Sequence, residues 1–265
     1  MLMSINSSLK PRPIGARKKM LSGGTASEES ASSVRHGFFK SFDGTKIFYS
    51  IEGEGKPLIF CYGLVCSSLH WTYQIDYFKK NYQTIWLDYR GHHNSEMPEN
   101  PDSITLESIA QDLGKLYDEL NLKEAVLFGH SMGVNVVLEF YRQQPHRVCG
   151  MILANGTARR PLENLFNGNA FQTGFSLLKR LYKISPVLFK KMWRSQLSNP
   201  MAKALAALGG FNPHLTPAED VHLYMDRIAE MDPEIFFRLI ENYDRYDSTA
   251  WLHTIQIPTL IFGGV

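Results

Sequence analysis

Gly129-His130-Ser131-Met132-Gly133 is the stretch of this sequence with the most chemical content. A serine hydroxyl is a poor nucleophile until it is exposed, loses its proton to a base, and faces donors for the oxyanion it creates. A sharp strand-to-helix turn meets the first need by lifting Ser131 above the edge of a sheet. Glycines two positions before and two after the serine keep such a turn from clashing with its neighbours. The amide of Met132, first in the following helix, then points at developing negative charge with the helix dipole behind it. The chemistry implied is attack by Ser131 on a carbonyl. The bland alternative is a small residue in a tight turn.

The flanking segments have to supply that turn, and they read correctly. Ala125-Val126-Leu127-Phe128 is a short apolar run of the kind found in strands buried on both faces. Residues 132–142 read as a helix, stopped by Pro145. Similar apolar runs occur at 58–61, 84–87, 151–154 and Thr259–Phe262. Between them, 68–80 predicts a helix. Residues 103–121 predict another, with Leu106, Ile109, Leu113, Leu116 and Leu120 at steps of three and four and Asn121 at its C-terminal end. Phe38 to Phe42 and Thr45 to Ile51 flank Asp43-Gly44, which predicts a β-hairpin, and order is expected from near Gly37. Buried strands alternating with helices define an α/β fold: a mostly parallel twisted sheet covered by helices on both sides.

Composition agrees with an ordinary globular protein. The 265 residues are 44% hydrophobic and 20% charged, with a formal net charge of +2. That balance argues against a nucleic-acid binder and excludes a highly charged disordered chain. Three scattered cysteines, Cys61, Cys66 and Cys149, argue against a disulfide framework and a cysteine-rich zinc site. They favour a reducing compartment, so a cytoplasmic location is expected. No metal or nucleotide motif is present, and no cofactor is expected. No apolar run approaches the roughly 18 residues of a membrane span. Residues 1–35 hold six basic and two acidic groups and few large apolar ones, which predicts a disordered tail. Its first 27 residues contain no acid, which leaves a mitochondrial transit segment as the alternative reading.

From Thr157 to Tyr246 the pattern turns to helices only. The expected organisation is therefore a core over 36–157, a helical insertion over 158–246, and the core again over 247–265. Charge within the insertion is segregated. Residues 164–218 contain no acid, whereas residues 219–247 contain nine. The bland explanation is that the two halves pack together. The sharper one is a basic amphipathic surface for anionic lipid or acyl substrates, given Phe171, Phe175, Leu178, Leu181, Leu188, Phe189 and Trp193.

Two further segments bring a family into view. Asp88-Tyr89-Arg90-Gly91-His92-His93-Asn94-Ser95 follows a strand, as the D-x-R-G-x-G-x-S segment of α/β-hydrolases does. With the turn around Ser131, it makes residues 37–265 resemble the cap-bearing serine hydrolases of that fold. The family usually has glycine at the position of His93, and His tolerates a positive φ better than most residues. Tyr62-Gly63-Leu64 matches the family's His-Gly-x segment, with Tyr62 replacing the histidine. The resemblance implies Ser131 as nucleophile, the amides of Leu64 and Met132 as oxyanion donors, and structural roles for Asp88 and Arg90. It implies a helical cap over Ser131, lined by residues such as Phe171, Phe175, Phe189, Trp193 and Phe211, and a small-molecule acyl substrate.

A serine nucleophile argues against the branches that attack with aspartate. Esterase, lipase, thioesterase, C–C hydrolase, perhydrolase and acyltransferase chemistries stay open. So does a non-catalytic, hydrolase-like binding protein. In the family order the acid follows the strand matched by Thr259–Phe262 and the histidine comes one strand later. No histidine of this sequence matches that position, so the last strand, its helices, the acid and the base are expected to be missing. Should another histidine serve as base, His93 and His253 are the candidates. Oligomeric state is left open.

Overall fold

The computed structural model describes residues 34–159, 168–197, 199, 201 and 216–263. The expectations for residues 1–33 and for Phe211 lie outside them, as does the side chain of Phe171. Among the described residues seven strands form one sheet in the order β1-β2-β4-β3-β5-β6-β7. They are β1 (Arg35–Lys40), β2 (Lys46–Glu52), β3 (Lys56–Cys61), β4 (Tyr82–Leu87), β5 (Ala125–His130), β6 (Val148–Ala154) and β7 (Thr259–Phe262). The first three strands in that order pair antiparallel, and the remaining pairings are parallel.

The hairpin β1–β2 closes around Asp43-Gly44, where Gly44 takes φ +86° and Thr45 donates its amide to Asp43 Oδ1. Strand β1 begins at Arg35, two residues before the expected start, because Arg35 and His36 continue the ladder onto Ile51 and Ser50. The helix expected over 68–80 is instead a 3₁₀ turn, Ser68–Trp71, followed by α1 (Thr72–Phe78). Local capping explains the break. Ser67 accepts from the Leu69 amide, and its own amide donates to His70 Nδ1.

Helix α2 (Leu106–Glu119) starts at Thr105, whose hydroxyl accepts from the Ser108 amide, and Asn121 beyond its end has φ 53°. Its apolar stripe is buried against α3 (Met132–Gln143) and the sheet. The chain runs from β3 to β4 on one side and from β4 to β5 on the other. Strand β3 therefore marks the point where the winding reverses, and crevices open at the C-terminal ends of strands there. Cys61 of β3 pairs with Gly129 of β5, so the loop after β3 and the turn after β5 lie side by side.

Arg90 is fully buried and satisfies its guanidinium with Asp112 (2.6 and 2.8 Å), Asp43 and Ser103. Asp88 accepts from both the amide and the side chain of Asn94. These bonds tie the loop after β4 to the hairpin and to α2. His93, in that loop, has φ 46°, the conformation that glycine adopts most easily.

The insertion leaves and rejoins the core at one place. Ser248 donates both its amide and its hydroxyl to the Ala158 carbonyl, beside a bridge between Arg159 and Asp247. Its described helices are α4 (Gly168–Ile184), α5 (Pro186–Leu197), α6 (Ala218–Glu230) and α7 (Pro233–Arg245). Lys179 pairs with Glu241 and Lys190 with Asp232, so part of the segregated charge does join the two halves. Helix α7 buries Ile235, Leu239, Ile240 and Tyr243, and its Asn242 accepts from the Leu106 amide at 2.7 Å. No described helix is long and apolar enough to cross a membrane.

Candidate active site

Ser131 sits between β5 and α3 with φ 54° and ψ −123°, a conformation that strains any residue with a side chain. Two backbone bonds hold it there. Its amide donates to the Ala154 carbonyl at 2.9 Å, and its carbonyl accepts from the Val134 amide at 3.0 Å. The glycines around it are there for space. A Cβ on Gly133 would lie 2.0 Å from the Cys61 carbonyl oxygen, and one on Gly129 would lie 2.6 Å from the Gly133 oxygen. Helix α3 thus packs directly on the backbone of β3. Its first residue, Met132, is fully buried. Helix N-terminal amides of this kind have no partner within the helix.

The loop after β3 closes on the same point. A Cβ on Gly63 would lie 3.0 Å from that of Ser131, so this backbone abuts the serine. Leu64 follows, half-buried, and Val65 takes φ 54° to turn the chain back. Tyr62 replaces the expected histidine by a reciprocal pair of bonds. Its hydroxyl accepts from the Tyr89 amide at 2.7 Å, while its carbonyl accepts from the Tyr89 hydroxyl at 3.0 Å. The two rings lie against each other, tilted by 38°, with centroids 4.1 Å apart. Both phenols are completely buried, which holds them neutral and bonded.

Tyr243 of α7, on the helical insertion, comes close enough to Ser131 for the serine side chain to act on its phenol. Burial pushes the Tyr243 phenol up to about 12, opposed by the Ser131 hydroxyl. Nearby imidazoles are kept neutral by burial: His70 is lowered to about 4, and His130 is also lowered. Burial raises the Cys66 thiol to about 12, far from a reactive thiolate. Among the described residues no imidazole or carboxylate hydrogen-bonds to the Ser131 hydroxyl. His93 Nε2 meets the Cys66 carbonyl at 3.0 Å, and His253 lies exposed in a 3₁₀ turn. No described cluster of His, Cys, Asp and Glu could hold a metal.

Three of the aromatics expected to line the cap have described side chains. Phe175, Phe189 and Trp193 pack on Phe236 and Phe237, within the cap itself, and Trp193 Nε1 donates to the Ile228 carbonyl. The described cap residue facing Ser131 is Tyr243. Its only signal in the sequence is its place on the apolar stripe of α7, which any core tyrosine would share.

A family model described as the alpha/beta hydrolase fold matches residues 56–264. Epoxide hydrolase 4 of Mus musculus is 29% identical over 232 residues, 83% of this chain and 63% of the relative. A non-heme chloroperoxidase of Streptomyces lividans is 34% identical over 117 residues, 43% of this chain and 42% of the relative. The chain therefore spans less than two thirds of either relative. A thermophilic esterase from Thermogutta terrifontis superposes with a TM-score of 0.64 at 22% identity, covering 87% of this chain and 80% of that one. At that identity the likeness speaks for the fold.

Proposed function

Because the chain belongs to the α/β-hydrolase fold family, we propose that it is a serine hydrolase cleaving an ester, thioester or related acyl bond of a small molecule. The observation that carries this reading is the strained backbone at Ser131, placed between β5 and the N-terminus of α3 with Gly63 against it. Strain of this kind persists only where the surroundings enforce it, and it serves to present a side chain. The relatives include proteins named for epoxide and halide chemistry. A serine hydroxyl at this position favours acyl transfer instead.

In this reading Ser131 Oγ attacks the acyl carbon while its proton passes to a base. The carbonyl π pair moves onto oxygen, where the amides of Leu64 and Met132 donate to it. Collapse expels the alcohol or thiol, which takes up the proton and leaves an acyl-serine. Water then attacks that ester, and the acid departs with Ser131 restored. Phe175, Phe189 and Trp193 act on the substrate through the shape of the cap they hold together.

A second reading, a hydrolase-like binding protein without the chemistry, draws on the absence of an imidazole or carboxylate bonded to Ser131 among the described residues. A fluorophosphonate probe separates the two, since it reacts with activated serines. The first reading expects labelling, lost in Ser131→Ala, of the protein that carries the base. Unlabelled protein, or labelling that survives the alanine, would rule it out.

A further inference from the structure

Helices α4 and α5 join through Ser185 and turn Phe175, Tyr182, Phe189 and Trp193 inward. Their outer faces are apolar as well. Leu177, Leu181, Ile184, Val187, Leu188 and Met192 are 58, 47, 72, 82, 57 and 53% exposed. Spacings of four and three place Leu177, Leu181 and Ile184 on one side of α4, and a spacing of four aligns Leu188 with Met192 on α5. With Leu178, this short stretch holds seven of the seventeen large exposed apolar side chains among the described residues. Patches so concentrated on a folded surface mark interaction sites.

The charges around the patch select the partner. Lys179 and Lys190 are spent on the cap's acidic half, through Glu241 and Asp232. Arg180, Lys183, Lys191 and Arg194 are exposed and form no ion pair among the described residues. No acid occurs anywhere between 164 and 218 to balance them. Two copies of this face would set like charges against each other, which argues against self-association. A partner that is negative at its surface and apolar just beneath it answers both features.

The geometry points to the outer face of α4 and α5 as a docking surface for a bilayer containing anionic phospholipid. The aliphatic side chains enter the boundary between headgroups and acyl chains, led by Ile184 and Val187 at the tip where the helices meet. The four cations sit at the level of the phosphates. This docking does not depend on which bond Ser131 attacks.

Co-sedimentation of the full chain with phosphatidylcholine vesicles, with and without admixed phosphatidylserine, tests it. Binding should require phosphatidylserine and weaken with added salt. Arg180→Gln with Lys191→Gln should lower the partition coefficient roughly 25-fold, about fivefold per charge. Ile184→Asn with Val187→Asn should lower it by roughly tenfold or more. Each variant should melt like the parent, since the altered side chains are exposed. Ser131→Ala should bind vesicles like the parent, which keeps this result separate from the hydrolase reading. Failure of the parent to bind, or binding unchanged in both double variants, would overturn the proposal. So would concentration-dependent dimerisation abolished by the Ile184 and Val187 changes, which would assign the face to a second copy.

Discussion

Tyr243, on the last helix of the insertion, lies close enough to Ser131 on the turn after β5 for the serine side chain to act on its phenol. The two residues lie more than a hundred positions apart, on the insertion and on the core. Because burial pushes the phenol up to about 12, Tyr243 keeps its proton at neutral pH. In the proposed hydrolase reading it holds Ser131 before substrate arrives, or bonds a substrate oxygen afterwards.

Tyr243→Phe deletes that hydroxyl and keeps the ring. In the hydrolase reading, turnover of a short activated ester should change by roughly tenfold, in line with one neutral hydrogen bond. Ser131→Ala should cost several orders of magnitude. Equal losses for the two, with both proteins folded, would mean that Tyr243 is itself indispensable to the chemistry.

Gly63 and Gly133 should fail in different ways. Alanine at 133 brings a methyl to 2.0 Å from the Cys61 carbonyl, where only backbone can yield. Unfolding midpoints should show a loss of roughly 1–3 kcal/mol or more. Alanine at 63 meets the Ser131 Cβ at 3.0 Å. Esterase turnover there should fall while the urea midpoint moves little. A large stability loss at 63, or none at 133, would contradict this division.

Arg90 is a stability residue on this structure. Arg90→Ala strands the fully buried Asp112 carboxylate, which accepts from Arg90 at 2.6 and 2.8 Å. Removing one partner of such a pair costs roughly 3–5 kcal/mol. Arg90→Met combined with Asp112→Leu should recover a good part of that loss in equilibrium urea unfolding. A double variant no more stable than Arg90→Ala would place the cost elsewhere, in the bonds to Asp43 and Ser103.

His92 should make the fold acid-sensitive. Complete burial lowers its pKa from 6.5 to about 3, helped by the adjacent His93. Between those values the unfolded chain binds a proton that the folded chain does not. The contribution of neutral His92 is therefore full above the unfolded value and is lost as pH falls toward about 3. His70 behaves the same way, with its folded value near 4. Asp88, raised by burial, titrates in the opposite sense. Comparison with His92→Gln isolates the one group: the drop in urea midpoint from pH 7 to pH 4.5 should be smaller in the variant. An unchanged drop would show that His92 does not titrate as a buried neutral base.

Much of the fold is legible because its signals are local. Apolar runs at β3, β5 and β6, the stripe along α2 and the Asp43-Gly44 turn each fix an element within a few residues. Gly129, Ser131 and Gly133 locate the strained turn for the same reason, since the geometry of a turn is set by its immediate neighbours. The split of 68–80 came from a cap that competes with the helix over one turn, which periodicity does not register. The relations across the site depend on what the winding of the sheet brings together. Tyr62 finds Tyr89 because β3 and β4 are neighbours, and Gly63 meets Ser131 because β3 and β5 are. Nothing in α7 marks Tyr243 apart from an ordinary core tyrosine, and only the docking of α7 on α2 carries it to the serine. The cap aromatics read as a substrate lining because sequence reports that a ring is apolar. Which side it faces is decided by helix packing, which set Phe175, Phe189 and Trp193 against Phe236 and Phe237 and left Arg180, Lys183, Lys191 and Arg194 outside.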